Sequence, residues 1–165
     1  MDARNNRKLI VTTPSDLEIV LSRTFDAPRA LVFEAFTKPE HVRQWYGCVS
    51  HQLVVCEIDF VVGGHYRYTM RGPDGVDHTM TGVYREIVAP SRIVLTERYE
   101  TTGFRSDDAV VTTTFEEHQG QTTLTSTILH PSRLQRDGQL NAGMEHGAGE
   151  TYDRLAAFVA TLAPA

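Results

Sequence analysis

The chain is poor in the residues on which disulfide-stapled, metal-dependent and membrane-spanning proteins rely. Its 165 residues include two cysteines and one tryptophan. Cys48 and Cys56 are too few and too close together to be the disulfide framework of a small secreted domain, and both read as reduced and structural. No apolar run approaches the roughly 20 residues of a membrane-spanning helix, so no membrane insertion is expected. The opening Met1-Asp-Ala-Arg-Asn-Asn-Arg-Lys8 lacks the apolar core of a secretory signal, and the expected location is cytoplasmic. Positive charge is scarce as well. Against 21 Asp and Glu there are 16 Lys and Arg, a formal net charge of -5. The basic cluster Arg4, Arg7 and Lys8 sits at the very start, so the domain offers no field to a polyanion and no nucleic-acid partner is expected.

Several chemical signatures are missing too. The seven histidines, His41, His51, His65, His78, His118, His130 and His146, show no paired ligand spacing, so no metal is expected. No serine occupies a nucleophile elbow, and neither cysteine has an evident histidine partner, which argues against covalent catalysis. Gly63-Gly64 opens a strand and lacks the strand-glycine-helix context of a phosphate loop, so no nucleotide cofactor is implied.

What remains is the pattern of one α+β domain. Residues 1–16 are polar apart from Leu9-Ile10-Val11, which offers a short edge strand before the Pro14-Ser15 break; the segment is otherwise expected to be poorly ordered, with the domain over 17–162. Leu17 to Phe25 reads as a first strand. Asp26 stands where a helix N-cap belongs, with Pro28 in the first turn and Leu31, Val32, Ala35 and Phe36 as the buried side. Thr37 and Glu40 have capping-box spacing around Pro39, which starts a second short helix ending near Trp45-Tyr46-Gly47. Strands follow at 51–59, 64–71, 77–88, 92–100, 109–117 and 122–130, joined by turn-forming clusters short enough to force antiparallel neighbours. From Gly138 to Leu162 an apolar stripe of Leu140, Met144, Ala148, Tyr152, Leu155, Val159 and Leu162 predicts one long helix. The architecture is a curved antiparallel sheet of about seven strands with that helix across its concave face. Gly143, Gly147 and Gly149 fall in the front half of the helix, each costing about 1 kcal/mol against alanine. They imply fraying, close packing, or room for something that is not a side chain.

Strand parity names the inner face. If Tyr66, Tyr68 and Met70 point inward, the following turns place His78, Met80, Gly82 and Tyr84 beside them, then Ile93, Leu95, Glu97 and Tyr99. Farther on, Val111, Thr113 and Phe115 face Leu124, Ser126 and Ile128. The residues expected to meet a ligand are Trp45, Tyr66, Tyr68, Met80, Tyr84, Glu97, Tyr99, Thr113, Met144 and Tyr152. Each has a plainer role open to it: a core tyrosine with a tied hydroxyl, a tryptophan wedged between helices, a methionine filling a gap. Glu97 is the candidate acid or base, because a carboxylate facing an apolar hollow has its pKa raised. Pairing with an arginine or a wet position at the rim is the alternative.

The stretch Phe25-Asp-Ala-Pro-Arg-Ala-Leu-Val-Phe-Glu-Ala-Phe-Thr-Lys-Pro-Glu-His-Val-Arg-Gln-Trp45-Tyr-Gly47 resembles the opening signature of the SRPBCC superfamily, in the branch named for the activator of the Hsp90 chaperone ATPase. Three further stretches, Gly63 to Gly75, Gly82 to Glu97, and Gly143 to Leu155-Ala156, resemble the same branch. It often has a second tryptophan and a proline where this chain has Tyr46 and Cys48. The resemblance implies the helix-grip (START-like) fold and a hollow interior. The leading functional expectation is a binding protein for a hydrophobic or aromatic small molecule such as a lipid or polyketide. The second is a cyclase, hydrolase or isomerase using Glu97 with a tyrosine donor. The third, from the branch name, is a stress-related co-chaperone acting on a chaperone ATPase. An exposed edge strand leaves a homodimer open.

Overall fold

The structure is a computed structural model that describes residues 8–162. Its strands are β1 (Ile10–Thr12), β2 (Glu18–Phe25), β3 (Gln52–Ile58), β4 (His65–Arg71), β5 (Asp77–Val88), β6 (Arg92–Thr101), β7 (Phe104–Arg105), β8 (Ala109–His118) and β9 (Gln121–Leu129). They form one antiparallel sheet in the order β1-β2-β9-β8-β6-β5-β4-β3, with β7 paired to β6. Helices α1 (Arg29–Thr37) and α2 (Pro39–Trp45) connect β2 to β3, and α3 (Arg133–Asn141) and α4 (Met144–Leu162) end the chain.

The seven long strands stand where alternation and turn residues place them. Beside them stand two short strands, β1 of three residues and β7 of two; β7 was not anticipated, being too short to show a period. Ile10–Thr12 pairs with Val20–Ser22, so the edge strand that Leu9-Ile10-Val11 offered is the sheet's outer strand, one residue later. The part of the poor-order expectation that covers residues 1–7 lies outside the described residues.

Inward parity holds across the sheet. Tyr66 pairs with Gly82, Tyr68 with Met80 and Met70 with His78; Met80 then faces Tyr99, and Tyr84 faces Leu95. The register shift between β5 and β6 falls past Tyr84, so the inner face keeps its phase up to that point. On the other side Val111 pairs with Ile128, Thr113 with Ser126 and Phe115 with Leu124, all buried. Burial of these alternate apolar positions supplies the driving force, about 25 cal/mol for each Å² removed from water.

Three helix boundaries differ from expectation. The helix expected over 138–162 is two. Ala142 donates its amide to Gly138 and Gln139, and Gly143 adopts φ +78°, a conformation that suits glycine and ends α3. Leu140 and Met144 are four apart, which keeps the apolar stripe continuous across the break and hides it. Asp26 is not the cap of α1, which starts after Pro28 with no side-chain cap. Its carboxylate accepts Gln121 Nε2 at 2.6 Å, while Glu117 Oε1 from β8 accepts the Arg29 amide at 2.6 Å and so puts a negative charge at the helix start. Nor do Thr37 and Glu40 form a capping box, because Thr37 is the last residue of α1 and its hydroxyl donates to the Phe33 carbonyl at 3.1 Å. Pro39 does open α2.

In α4 only the second half is fully buried, at Tyr152, Leu155 and Val159. The Tyr152 ring lies 6.3 Å from that of Phe25 in β2. At Gly147 and Gly149 an added Cβ would meet nothing within 4 Å, so these glycines are not there for close packing on the sheet.

Candidate functional site

Five tyrosines and a carboxylate converge on the inner face. Tyr66 donates its hydroxyl to the Thr96 carbonyl at 2.6 Å, over Gly82, where a Cβ would lie 2.6 Å from the tyrosine oxygen. The Tyr66 ring is 5.2 Å from Tyr68 and 5.6 Å from Tyr84, and Tyr68 is 4.7 Å from Tyr46 at the end of α2. From the opposite side Tyr152 reaches Ser126, whose Oγ is 2.8 Å from Thr113 Oγ1. Thr113, Ser126 and Tyr152 thus bring their polar groups together where the sheet meets the helix.

Glu97 faces this group. Its register partner on β8 is Ala109, and no hydrogen bond or ion pair joins its carboxylate to any described residue. Desolvation raises its pKa from the ordinary 4.5 to about 7, because a charge stripped of water without a compensating cation favours its neutral form. Loss of hydration also raises the tyrosines, Tyr84 and Tyr152 to about 12; for Tyr46, Tyr66 and Tyr152 the nearby Glu97 charge adds to it. Yet Glu97, Tyr46 and Tyr68 all retain accessible surface.

The other expected residues have separate surroundings. Trp45 is buried and donates its indole N–H to the Ala35 carbonyl at 2.9 Å, against Phe36, so it wedges α1 to α2. Tyr99 stacks on His78 and its hydroxyl is 2.6 Å from His78 Nδ1. Met80 sits in register between Tyr68 and Tyr99. Met144 is the first residue of α4 and packs on the edge of the core.

Next to the tyrosine group, across Tyr46, opens a cleft of about 770 Å³ between the α2–β3 loop, the β4–β5 turn and α4. Of the ten residues expected to meet a ligand, none lines it. Here one expectation is corrected: Cys48 does have a histidine partner. A turn closed by the His51 amide on the Cys48 carbonyl at 3.2 Å brings Cys48 Sγ within 3.3 Å of His51 Nδ1. Among the described residues, no group of three or more His, Cys, Asp or Glu side chains is placed to hold a metal ion, and no helix is long and apolar enough to cross a membrane.

A family model described as Activator of Hsp90 ATPase homolog 1-like protein matches residues 26–160. The chain belongs to that family. Solved structures of the family's SRPBCC fold superpose closely. A Rhodobacter sphaeroides protein has a TM-score of 0.86 at 22% identity, covering 93% of this chain and 99% of its own. A Rhizobium leguminosarum protein reaches 0.69 at 28% identity, with 87% and 94% covered. The protein from Silicibacter pomeroyi described as AHSA1 reaches 0.73 at 18% identity, with 88% and 99% covered. No curated protein matches the sequence.

Within this activator-like chain, sequence reasoning missed Tyr46 and the Cys48–His51 contact. Tyr46 follows the last helical residue of α2, where periodicity no longer says which way a side chain points. The Cys-Val-Ser-His spacing of residues 48–51 is that of a four-residue turn, which was the available signal for the second.

Proposed function

We propose that this protein binds a hydrophobic or aromatic small molecule, such as a lipid or polyketide, between the tyrosines of its inner face and α4. Glu97 carries the reading. A core side chain such as Phe115 or Leu124 is both dry and without accessible surface. Glu97 is desolvated yet still exposes surface, the combination expected of a group in the wall of an enclosed space. Tyr46 and Tyr68 share that combination. Apolar walls with a few convergent polar groups are what small-molecule sites are made of.

Ligand at about a hundred times its Kd adds about 2.7 kcal/mol to the folded state. For a domain of this size that corresponds to a melting shift of roughly 5–10 °C. A thermal-shift screen of lipids, flavonoids and polyketides is expected to find such a stabiliser, and a screen with none counts against binding.

Glu97 also favours a second reading, an enzyme in which it acts as general acid or base. A carboxyl with a pKa of about 7 holds and releases a proton at neutral pH, and Tyr46, whose hydroxyl has no hydrogen-bond partner among the described residues, is the donor beside it. Glu97→Gln then abolishes turnover and leaves binding intact; equal loss of both leaves a binding role alone. The chaperone ATPase in the family's description is tested apart from either, since unchanged ATP turnover at saturating protein removes that partner. A cytoplasmic homodimer paired through an outer strand is checked by sedimentation.

A further inference from the structure

The cleft outside Tyr46 holds reactive groups that the binding reading leaves unused. Cys48 Sγ lies 3.3 Å from both His51 Nδ1 and Ser50 Oγ, and Ser50 Oγ is 2.8 Å from the same nitrogen. On its other side the His51 ring rests 5.3 Å from that of His78. Cys48 is partly exposed and lines the cleft, whereas Cys56 is buried, with its thiol pushed up by burial. The same cleft is lined by three arginines, Arg43, Arg71 and Arg154, and by no carboxylate. In a chain of net charge -5 the lining itself concentrates positive charge, with Asp77 and Glu150 behind it at Arg71 and Val49. Arg43 donates to the Cys56 carbonyl and Arg71 forks onto Asp77. Arg154 makes no hydrogen bond or ion pair with any described residue. Glu150, one turn before it, faces the Val49 amide and His146 instead.

We propose that Cys48 and His51 are a nucleophile–base pair and that this cleft takes a small carbon electrophile bearing a carboxylate, which Arg154 holds. A thiol within reach of an imidazole nitrogen needs only to lose its proton to attack. As sulfur bonds to the electrophilic carbon, the thiol proton passes to His51 Nδ1, and the leaving group departs with the electron pair of the broken bond. The imidazolium then returns its proton to water. This site is separate from the tyrosine group, and its assignment stands whether or not the interior binds a ligand.

The test is alkylation of the intact protein by iodoacetate and by iodoacetamide, with rates at Cys48 and Cys56 read by peptide mass spectrometry and glutathione as the reference thiol. A simple thiolate repels the anionic reagent, whereas a cationic cleft draws it in. Cys48 is expected to react faster than glutathione, with an iodoacetate-to-iodoacetamide ratio roughly tenfold above glutathione's, while Cys56 stays unmodified. Arg154→Ala returns the ratio to that of glutathione and leaves the iodoacetamide rate unchanged. His51→Ala and His51→Gln, which differ in how they fill the loop, both slow the two reagents by roughly tenfold or more with the ratio retained. A glutathione-like ratio in the wild type overturns the carboxylate assignment. A Cys48 rate that is no faster than glutathione's, or is indifferent to His51, overturns the pair.

Discussion

Replacing Gly82 with alanine is expected to destabilise the protein by about 3 kcal/mol, read as a lower urea midpoint at unchanged slope. A Cβ at this position would lie 1.8 Å from the Thr96 carbonyl oxygen and 2.6 Å from both Cε1 and the hydroxyl of Tyr66. The first contact is with the backbone of β6, which cannot move without disturbing its ladders to β5 and β8. The second breaks the bond from Tyr66 to the Thr96 carbonyl and tilts a wall of the tyrosine group. Alanine also lowers the entropy of the unfolded chain, but that gain is below about 1 kcal/mol and does not reverse the sign. Because the closest contact is main chain, adding Tyr66→Leu recovers only a minor part of the loss. Full recovery in the double variant would mean that the ring, not the strand, sets the limit.

Glu97→Gln is expected to stabilise the protein at pH 8 by about 3 kcal/mol and to leave it unchanged at pH 4. The carboxyl has a pKa of about 7 in the folded protein against an ordinary 4.5. Folding therefore raises its proton affinity, and its contribution to stability is fully present below pH 4.5. That contribution declines as pH rises through the interval and is lost once pH passes about 7, where the folded protein carries a dry, unpaired charge. Other titrating groups cancel when wild type and variant are compared at each pH by urea unfolding. A difference that does not vary with pH would place Glu97 in water or beside a cation. A bound neutral apolar ligand that excludes water from the carboxylate should raise its pKa further, so the same series with ligand present shifts the window upward.

Most of the strand pattern was legible before any coordinates, for physical reasons that can be named. Each run from Gln52 to Leu129 is bounded by residues that favour turns, and its side chains alternate between two environments. Tyr66, Tyr68, Met80 and Tyr84 share a face because two-residue periodicity survives every turn between them. Helix boundaries were less legible. Asp26 and Thr37 have the right chemistry for caps, but each forms a different hydrogen bond, with Gln121 from β9 and with Phe33 within its own helix. The break at Gly143 was masked by a stripe that continues across it.

The sequence by itself determined the antiparallel sheet, the two-helix connection, the terminal apolar helix and the inward face that carries Glu97. All of these follow from local period and turn chemistry, which are properties of neighbours in the chain. Only the tertiary structure decided that Trp45 is spent on Ala35, that Tyr46 stands between interior and cleft, and that Cys48 and His51 meet near Arg154. Those outcomes depend on where a loop and a helix from opposite ends of the chain come to rest, and no periodicity records contacts between groups so far apart in sequence.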